Sequence, residues 1–308
     1  MSIKFKSVLF VLTLLMLFMS SASATCVRDG NGAVLSEDTP SGGPGAPLVL
    51  QDSNGWGDAC GAIPDAYTVN FFKLGICTTP PSFNDLSSCQ FILNSSTGVP
   101  HEIKFPAESA LATGDFSIAA GTYGYTVLLL STKLGITHTE NFSEPLVGAS
   151  GTGTTCWTNG KMTSLSGNSY NHTDYGMIYS SSPTSPALEC GSAGSASPVI
   201  SYEIIDTFND CDGQFSGAAT YPMSDGSATV DLLQNNGTSP ASNCDNASKL
   251  FWSTALNTPL IVTSDSNFIV SFKLTDAVSI DGSADPITGD GVAVKMGADP
   301  FQLNITTQ

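Results

Sequence analysis

Side chains that could perform chemistry are few and widely spaced in this sequence. The three histidines are His101, His138 and His172. None of them lies in a Gly-x-Ser-x-Gly or a His-Glu-x-x-His pattern, and we expect each at the surface or at a strand edge. The sequence therefore predicts a protein that is not an enzyme.

One enzymatic alternative needs no histidine. Glycoside hydrolysis requires only two carboxyl groups about 5 to 10 Å apart, and a sequence does not reveal such a distance. The candidate acids are Glu140, Glu144 and Glu203, and no recognisable motif surrounds any of them. A secreted hydrolase that uses paired carboxylates is thus the weakest of the functional alternatives.

Aspartates crowd two glycine-containing segments. One segment contains Asp281, Asp285 and Asp290, and the other contains Asp210 and Asp212. Calcium binds several oxygen ligands on flexible turns, so the first segment is a candidate calcium site. Neither segment matches the EF-hand loop, and aspartates in turns commonly hydrogen-bond the local backbone instead. No other cofactor is suggested by the sequence.

Trp56 lies between two glycines in a segment rich in turn-forming residues. An exposed indole there could stack on a sugar ring, which makes Trp56 a candidate ligand-binding residue. The alternative is that the ring packs against a disulfide at Cys60, because large aromatic side chains are mostly buried. The tyrosine-rich stretch 170–179 offers a second set of candidate glycan contacts.

Residues 1–24 have the three parts of a secretory signal peptide. Lys4 and Lys6 provide the positive start, an apolar run covers residues 8–19, and Ala22-Ser23-Ala24 is a small-residue cleavage site. The run is too short for a good membrane span. We therefore predict a secreted, extracellular or cell-surface protein with a mature chain of residues 25–308.

All eight cysteines lie in the predicted mature chain. They are Cys26, Cys60, Cys77, Cys89, Cys156, Cys190, Cys211 and Cys244. An even number in an exported protein, without a Cys-x-x-Cys pair, indicates four disulfides. The simplest hypothesis joins them in sequential pairs, and the short spacing of Cys77 and Cys89 makes that pair the most specific prediction.

The mature chain is strongly acidic. Removing the predicted signal peptide takes away two of the ten basic residues and none of the 27 acidic ones, which leaves 8 minus 27, or −19. Such a field opposes binding to nucleic acid and to anionic membranes, so both are excluded as partners. Charged residues make up only 12% of the chain, and its polar surface must be built mainly from Ser, Thr, Asn and Gly.

The stretch Ala66 to Cys77 is the most strand-like part of the mature chain. Its apolar residues alternate with polar ones but change phase at the Phe71-Phe72 pair. The apolar residues are Tyr67, Val69, Phe71, Phe72, Leu74 and Ile76. A β-bulge at that pair would place all six on one face. A central strand that is buried on both faces is the alternative.

The rest of the chain predicts many short antiparallel strands. Nine Asp-Gly or Asn-Gly dipeptides separate apolar runs, and no sustained helical period occurs. The fold class is therefore all-β, antiparallel and β-sandwich- or jelly-roll-like. We predict an irregular leader (25–47), a first sandwich unit (48–147), a cystine-closed Gly/Ser/Thr-rich connection outside the core (148–197) and a second sandwich unit (198–308). A single larger β domain is the alternative.

The C-terminal segment has a strand pattern almost to its last residue. Phe301, Leu303 and Ile305 alternate with polar residues, so a free strand there could pair with a neighbouring subunit. The alternative is a final strand within its own sheet. Taken together, these features predict a secreted or cell-surface structural or adhesive protein, with the capacity to serve as a subunit of an extracellular assembly. An extracellular carbohydrate-binding protein is the first alternative.

Overall fold

The computed structural model describes residues 24–39, 49–104, 117–207, 216–223, 226–299 and 301–307. These residues form 21 strands and two short 3₁₀ helices, which confirms the all-β prediction. None of the helices in the described ranges is long and apolar enough to cross a membrane. Residues 1–23 of the predicted signal peptide lie outside the described residues.

The strands are numbered in their order along the chain. They are β1 (Leu50–Asp52), β2 (Gly55–Gly57), β3 (Ala59–Ala62), β4 (Ala66–Cys77), β5 (Cys89–Lys104), β6 (Gly121–Ser131), β7 (Lys133–Thr137), β8 (Thr139–Val147), β9 (Thr152–Thr158), β10 (Met162–Ser164), β11 (Tyr170–His172), β12 (Gly176–Ile178), β13 (Leu188–Gly191), β14 (Ser201–Ile204), β15 (Ala218–Met223), β16 (Gly226–Leu233), β17 (Lys249–Val262), β18 (Phe268–Lys273), β19 (Val278–Ala284), β20 (Gly291–Ala298) and β21 (Gln302–Thr307). The two 3₁₀ helices are Ala193–Ser195 and Cys244–Asn246.

Two sheets dominate the fold. The large sheet has nine strands, eight of them in the order β10-β14-β7-β4-β6-β17-β16-β15. Strands β7 and β6 pair with successive parts of one edge of β4, and the ninth strand, β5, pairs with its opposite edge. The small sheet has six strands in the order β13-β9-β8-β20-β19-β3. Most pairs are antiparallel, while β10 with β14 and β8 with β20 are parallel.

One hydrophobic cluster joins the two sheets into a sandwich. Phe71 and Ile136 contribute to it from the large sheet, and Ile280 and Met296 contribute from the small sheet. Both sheets also take strands from both predicted sandwich units, for example β4 and β17 in the large sheet. The division into two units stays a prediction, and the shared sheets favour the alternative of a single larger β domain.

Strand β4 contains the predicted bulge. Its pairing register with both β5 and β6 shifts between Phe71 and Lys73. Five of the six apolar residues then lie in the main core, as the bulge predicts. Phe72 is the exception, because it packs on a second cluster that contains Cys77 and Phe251. The prediction that all six share one face is therefore wrong for Phe72.

The N-terminal segment 24–39 lies along the small sheet. Isolated bridges join Thr25 to Gly61 of β3 and Val34 to Phe142 of β8. Val34 is fully buried, so this part of the predicted irregular leader contributes to the core. Residues 40–47 of the leader lie outside the described residues.

Three of the predicted disulfides are present, namely Cys26–Cys60, Cys77–Cys89 and Cys156–Cys190. Cys244 is disulfide-bonded as well, and its predicted partner Cys211 lies outside the described residues. Disulfides of this number are consistent with an extracellular location.

The predicted connection 148–197 differs from expectation in one respect. Its strands β9 and β13 belong to the small sheet and are joined by the Cys156–Cys190 bridge. Cys156 and Leu188 are fully buried in the main core. The segment is therefore cystine-closed as predicted, but it forms part of the core.

The C-terminal strand β21 pairs antiparallel with β18 of the same chain. Phe301, just before β21, and Phe272 of β18 pack their rings on Phe71 of β4, with centroid distances of 6.2 and 5.8 Å. This two-stranded ribbon therefore covers one end of the core. Self-association through the C-terminal strand stays a prediction.

Candidate functional site

A group of charged and polar side chains lies between the two sheets. This inter-sheet cluster consists of Thr163, Glu203, Asp281, Lys295 and Asp299. Lys295 Nζ lies 2.6 Å from Glu203 Oε1 and 3.5 Å from Asp281 Oδ2. The Thr163 hydroxyl donates a hydrogen bond to Glu203 Oε2. Glu203 is only 2% exposed, so its ion pair with Lys295 is almost completely removed from water.

Strands of different sheets bring these groups together. Glu203 lies on β14 of the large sheet, and Lys295 lies on β20 of the small sheet. Gly297 of β20 leaves room for the Glu203 carboxylate to approach this strand, because a Cβ at position 297 would lie 3.1 Å from Glu203 Oε2. A larger residue there would push the Glu203 carboxylate away from Lys295.

The electrostatics of the inter-sheet cluster follow from burial and mutual charge. Burial lowers the pKa of Lys295, but the charges of Glu203 and Asp281 outweigh this effect and raise that pKa above its usual value. For Asp299, burial and the charges of Asp281 and Glu203 act in the same direction and raise its pKa to about 7. The cluster thus holds an ammonium between two carboxylates, beside an acid that titrates near neutral pH.

A second buried group joins the N-terminal segment to β8. Arg28 donates two hydrogen bonds to the Glu140 carboxylate, with distances of 2.8 and 2.7 Å. His138 Nε2 lies 3.4 Å from Glu140 Oε2, and neither ring nitrogen of His138 has a hydrogen-bond partner. This group joins the N-terminal segment to β8.

The tyrosine-rich stretch 170–179 folds into a small cap on the end of the large sheet. The Tyr170 hydroxyl donates a hydrogen bond of 2.7 Å to Asp206, which is fully buried. The His172 ring stacks on Tyr175 at a centroid distance of 4.4 Å. Because these rings already have partners within the protein, this stretch is less available as a sugar platform than the sequence suggested.

A shallow groove of about 190 Å³ lies on the outer face of the large sheet. Strands β6, β16 and β17 form its floor, and residues 80–82 form one wall. Its lining residues are Pro80, Pro81, Ser82, Tyr125, Ser227, Thr229, Asp231, Phe251, Ser253 and Ala255. Burial raises the pKa of Asp231. The groove is thus lined by two aromatic residues, Tyr125 and Phe251, several hydroxyls and one carboxyl group.

The predicted site residues lie apart from one another. Trp56 is 36% exposed on β2, so its ring is not buried against the Cys60 disulfide, and its role as a ligand-binding residue stays a prediction. Asp281 faces Lys295, whereas Asp285 accepts hydrogen bonds from the backbone N–H groups of the following turn. No group of three potential metal ligands occurs in the described part of the chain, so the calcium prediction for Asp281, Asp285 and Asp290 gains no support.

The histidines also differ from expectation. His101, His138 and His172 are only 7%, 4% and 2% exposed, so the predicted surface location is wrong. His101 does lie on β5, which pairs only with β4 among the described strands, and its ring packs on Phe272. Burial places each ring in a structural contact rather than in a solvent-accessible site.

The sequence contains a signal for only part of these sites. Lys295 is the one charged residue in the apolar strand β20, a pattern that indicates a buried ion pair. Asp231 lies on an alternating strand, but nothing local shows that it lines a groove.

No known protein family, curated protein or solved structure matches this chain. The sites described above therefore carry the functional conclusions by themselves.

Proposed function

We propose that this chain is a secreted or cell-surface structural or adhesive protein without enzymatic activity, and that it serves as a subunit of an extracellular assembly. One observation carries this proposal. The buried charged groups, including the candidate acids Glu140 and Glu203, join elements of the sandwich to one another through ion pairs and hydrogen bonds. A fold that uses its carboxylates in this way is suited to resisting unfolding outside the cell.

The terminal ribbon of β18 and β21 is the candidate surface for assembly. Ile269 on β18 is 40% exposed, and it lies on the strand that pairs with β21. Among the described strands this sheet has only two members, and the edge of such a short sheet can pair with a strand from another copy. The C-terminal ribbon is therefore where contacts between subunits are expected.

Light scattering and negative-stain microscopy of the oxidised chain 25–308, with and without calcium, test this proposal. We expect oligomers or filaments, and we expect Ile269→Lys to shift them towards monomers. Ile287→Lys is the matched control, because Ile287 is 88% exposed in the turn between β19 and β20. A monomer under all conditions would overturn the proposed assembly.

The groove on the large sheet favours a second function, binding of a carbohydrate. Its lining combines the Tyr125 ring, the hydroxyls of Ser227 and Thr229, and the carboxyl group of Asp231. Sugars are recognised by such combinations of an aromatic surface with hydrogen-bonding groups. Calorimetric titration with neutral oligosaccharides should show binding that is lost in Tyr125→Ala. If Trp56→Ala abolishes binding while Tyr125→Ala does not, the sugar binds at β2 and not in the groove.

A further inference from the structure

The three located disulfides leave the two sheets without a covalent connection. Cys77–Cys89 joins β4 to β5 within the large sheet, and Cys156–Cys190 joins β9 to β13 within the small sheet. Cys26–Cys60 fastens the N-terminal segment to β3 of the small sheet. The Lys295–Glu203 pair, by contrast, bridges the sheets in the interior of the sandwich.

This ion pair brings an amine and a carboxyl group next to each other. An amine nitrogen lies 2.6 Å from a carboxyl oxygen, and the carboxyl side chain is 2% exposed. We propose that Lys295 and Glu203 condense to form an intramolecular isopeptide bond, which links β20 to β14. Asp281 is the less suitable acceptor, because its carboxylate is 3.5 Å from Nζ and more exposed.

The condensation balances without any further reactant. The Lys295 Nζ–Glu203 Cδ bond forms and one Glu203 C–O bond breaks. The departing oxygen leaves as water with two of the three ammonium protons, and the third proton remains on the amide nitrogen. No electron transfer occurs, so neither an oxidant nor a reductant is needed.

Neighbouring groups of the inter-sheet cluster can assist each part of the step. The Asp281 carboxylate lies within reach of Nζ and can take up the proton that the amine must lose before it attacks. The Thr163 hydroxyl donates a hydrogen bond to Glu203 Oε2 and stabilises negative charge that develops on this oxygen. The departing oxygen receives the protons that the amine gives up, so no external acid is needed.

Burial favours the amide over the ion pair. Two opposite charges in a sandwich interior pay a large desolvation cost, whereas an amide is neutral and needs only hydrogen bonds. The fold also holds the reacting groups at fixed positions, which replaces a bimolecular encounter by an effectively unimolecular step. The Glu203 carboxyl group is only 2% exposed, so little water reaches the product amide and its hydrolysis is slow.

Mass spectrometry of the wild-type chain tests the proposal directly. After reduction and alkylation in denaturant, the intact mass should lie about 18 Da below the mass calculated for the alkylated chain, which corresponds to the loss of one water. Protease digestion should then yield a branched peptide in which the segment with Glu203 is joined to the segment with Lys295. The full sequence mass would overturn the proposal.

A control is needed because Asp-Gly sequences lose the same mass when they form succinimides. Lys295→Met keeps the length of the side chain without an amine, and we expect this variant to show the unmodified mass. Asp281→Asn should form the link more slowly than wild type, as followed by mass after refolding. If the loss of water persists in Lys295→Met, or maps to an Asp-Gly site, the isopeptide bond does not exist.

Discussion

Arg28 controls the protonation of a buried carboxyl group. Burial alone would raise the pKa of Glu140, but the hydrogen bonds from Arg28 and the electrostatic influence of the nearby His138 ring lower it from 4.5 to about 2. Because the folded pKa is the lower one, the stability that this group contributes is complete above about pH 4.5 and is lost as the pH falls towards 2.

Arg28→Met should therefore destabilise the protein in a pH-dependent way. We expect the free energy of unfolding to fall by about 1–3 kcal/mol at neutral pH, less than for a fully buried pair because Arg28 is partly exposed. The difference from wild type should shrink as the pH falls from about 4.5 towards 2. Urea denaturation at several pH values measures it. An equal difference at every pH would mean that Arg28 acts only through packing.

Asp299 makes the opposite contribution. Burial and the charges of Asp281 and Glu203 raise its pKa from 3.8 to about 7, so the folded state holds this proton more tightly than the unfolded state. Stability from this group is complete below about pH 4 and declines as the pH rises to about 7. The asparagine side chain in Asp299→Asn cannot ionise. The free energy of unfolding of this variant should therefore rise relative to wild type by on the order of 2 kcal/mol as the pH increases from 4 to 8. Denaturation curves that show a constant difference over that interval would contradict this assignment.

Among the secondary-structure elements, the turn between β8 and β9 shows why glycines are needed at particular positions. A Cβ at Gly148 would lie 2.5 Å from the backbone nitrogen of Cys190, and a Cβ at Gly151 would lie 2.5 Å from its carbonyl oxygen. The turn therefore packs directly on the backbone of β13, beside the Cys156–Cys190 bridge. A side chain at either position would push the turn and β13 apart.

We expect Gly151→Ala to lower the free energy of unfolding by about 1–3 kcal/mol, the usual cost of overpacking a tight contact. Gly124→Ala is the control, because Gly124 lies in β6 and nothing lies within 4 Å of an added Cβ. That variant should stay within about 0.5 kcal/mol of wild type. Thermal unfolding of both variants measures the difference. Equal stability of the two would show that the turn can move away from β13 at little cost.

The elements also show how far the sequence alone could lead. The strand pattern of β4, its bulge and the Cys77–Cys89 bridge depend on residues close in sequence, and all three were predictable. The second cluster behind β4 was not predictable. Phe72 packs on this cluster, and Phe251 becomes part of it only when β17 pairs with β6. Likewise, Lys295 and Glu203 are 92 residues apart, and only the packing of one sheet on the other brings them together.

At the scale of the whole molecule, the sharing of strands decides how the protein should unfold. The large sheet contains strands from both predicted sandwich units, and a single main cluster contains core residues of both sheets. Unfolding of either half would expose the buried face of the other half. A chain with this connectivity should therefore unfold as one cooperative unit.

Two disulfides provide a matched test of this expectation. Cys26–Cys60 and Cys156–Cys190 both join residues 34 positions apart, so the loss of either should cost about 3–4 kcal/mol on loop entropy alone. We expect calorimetry of each Cys→Ala double variant to show one transition, shifted down by a similar amount. In a chain of two independent units, 48–147 and 198–308, each variant would leave the transition of the unit 198–308 at its wild-type temperature, because neither bridge lies in that unit. A single shifted transition in both variants would establish one larger β domain, since a bridge in one region could then stabilise the whole molecule only through the shared core.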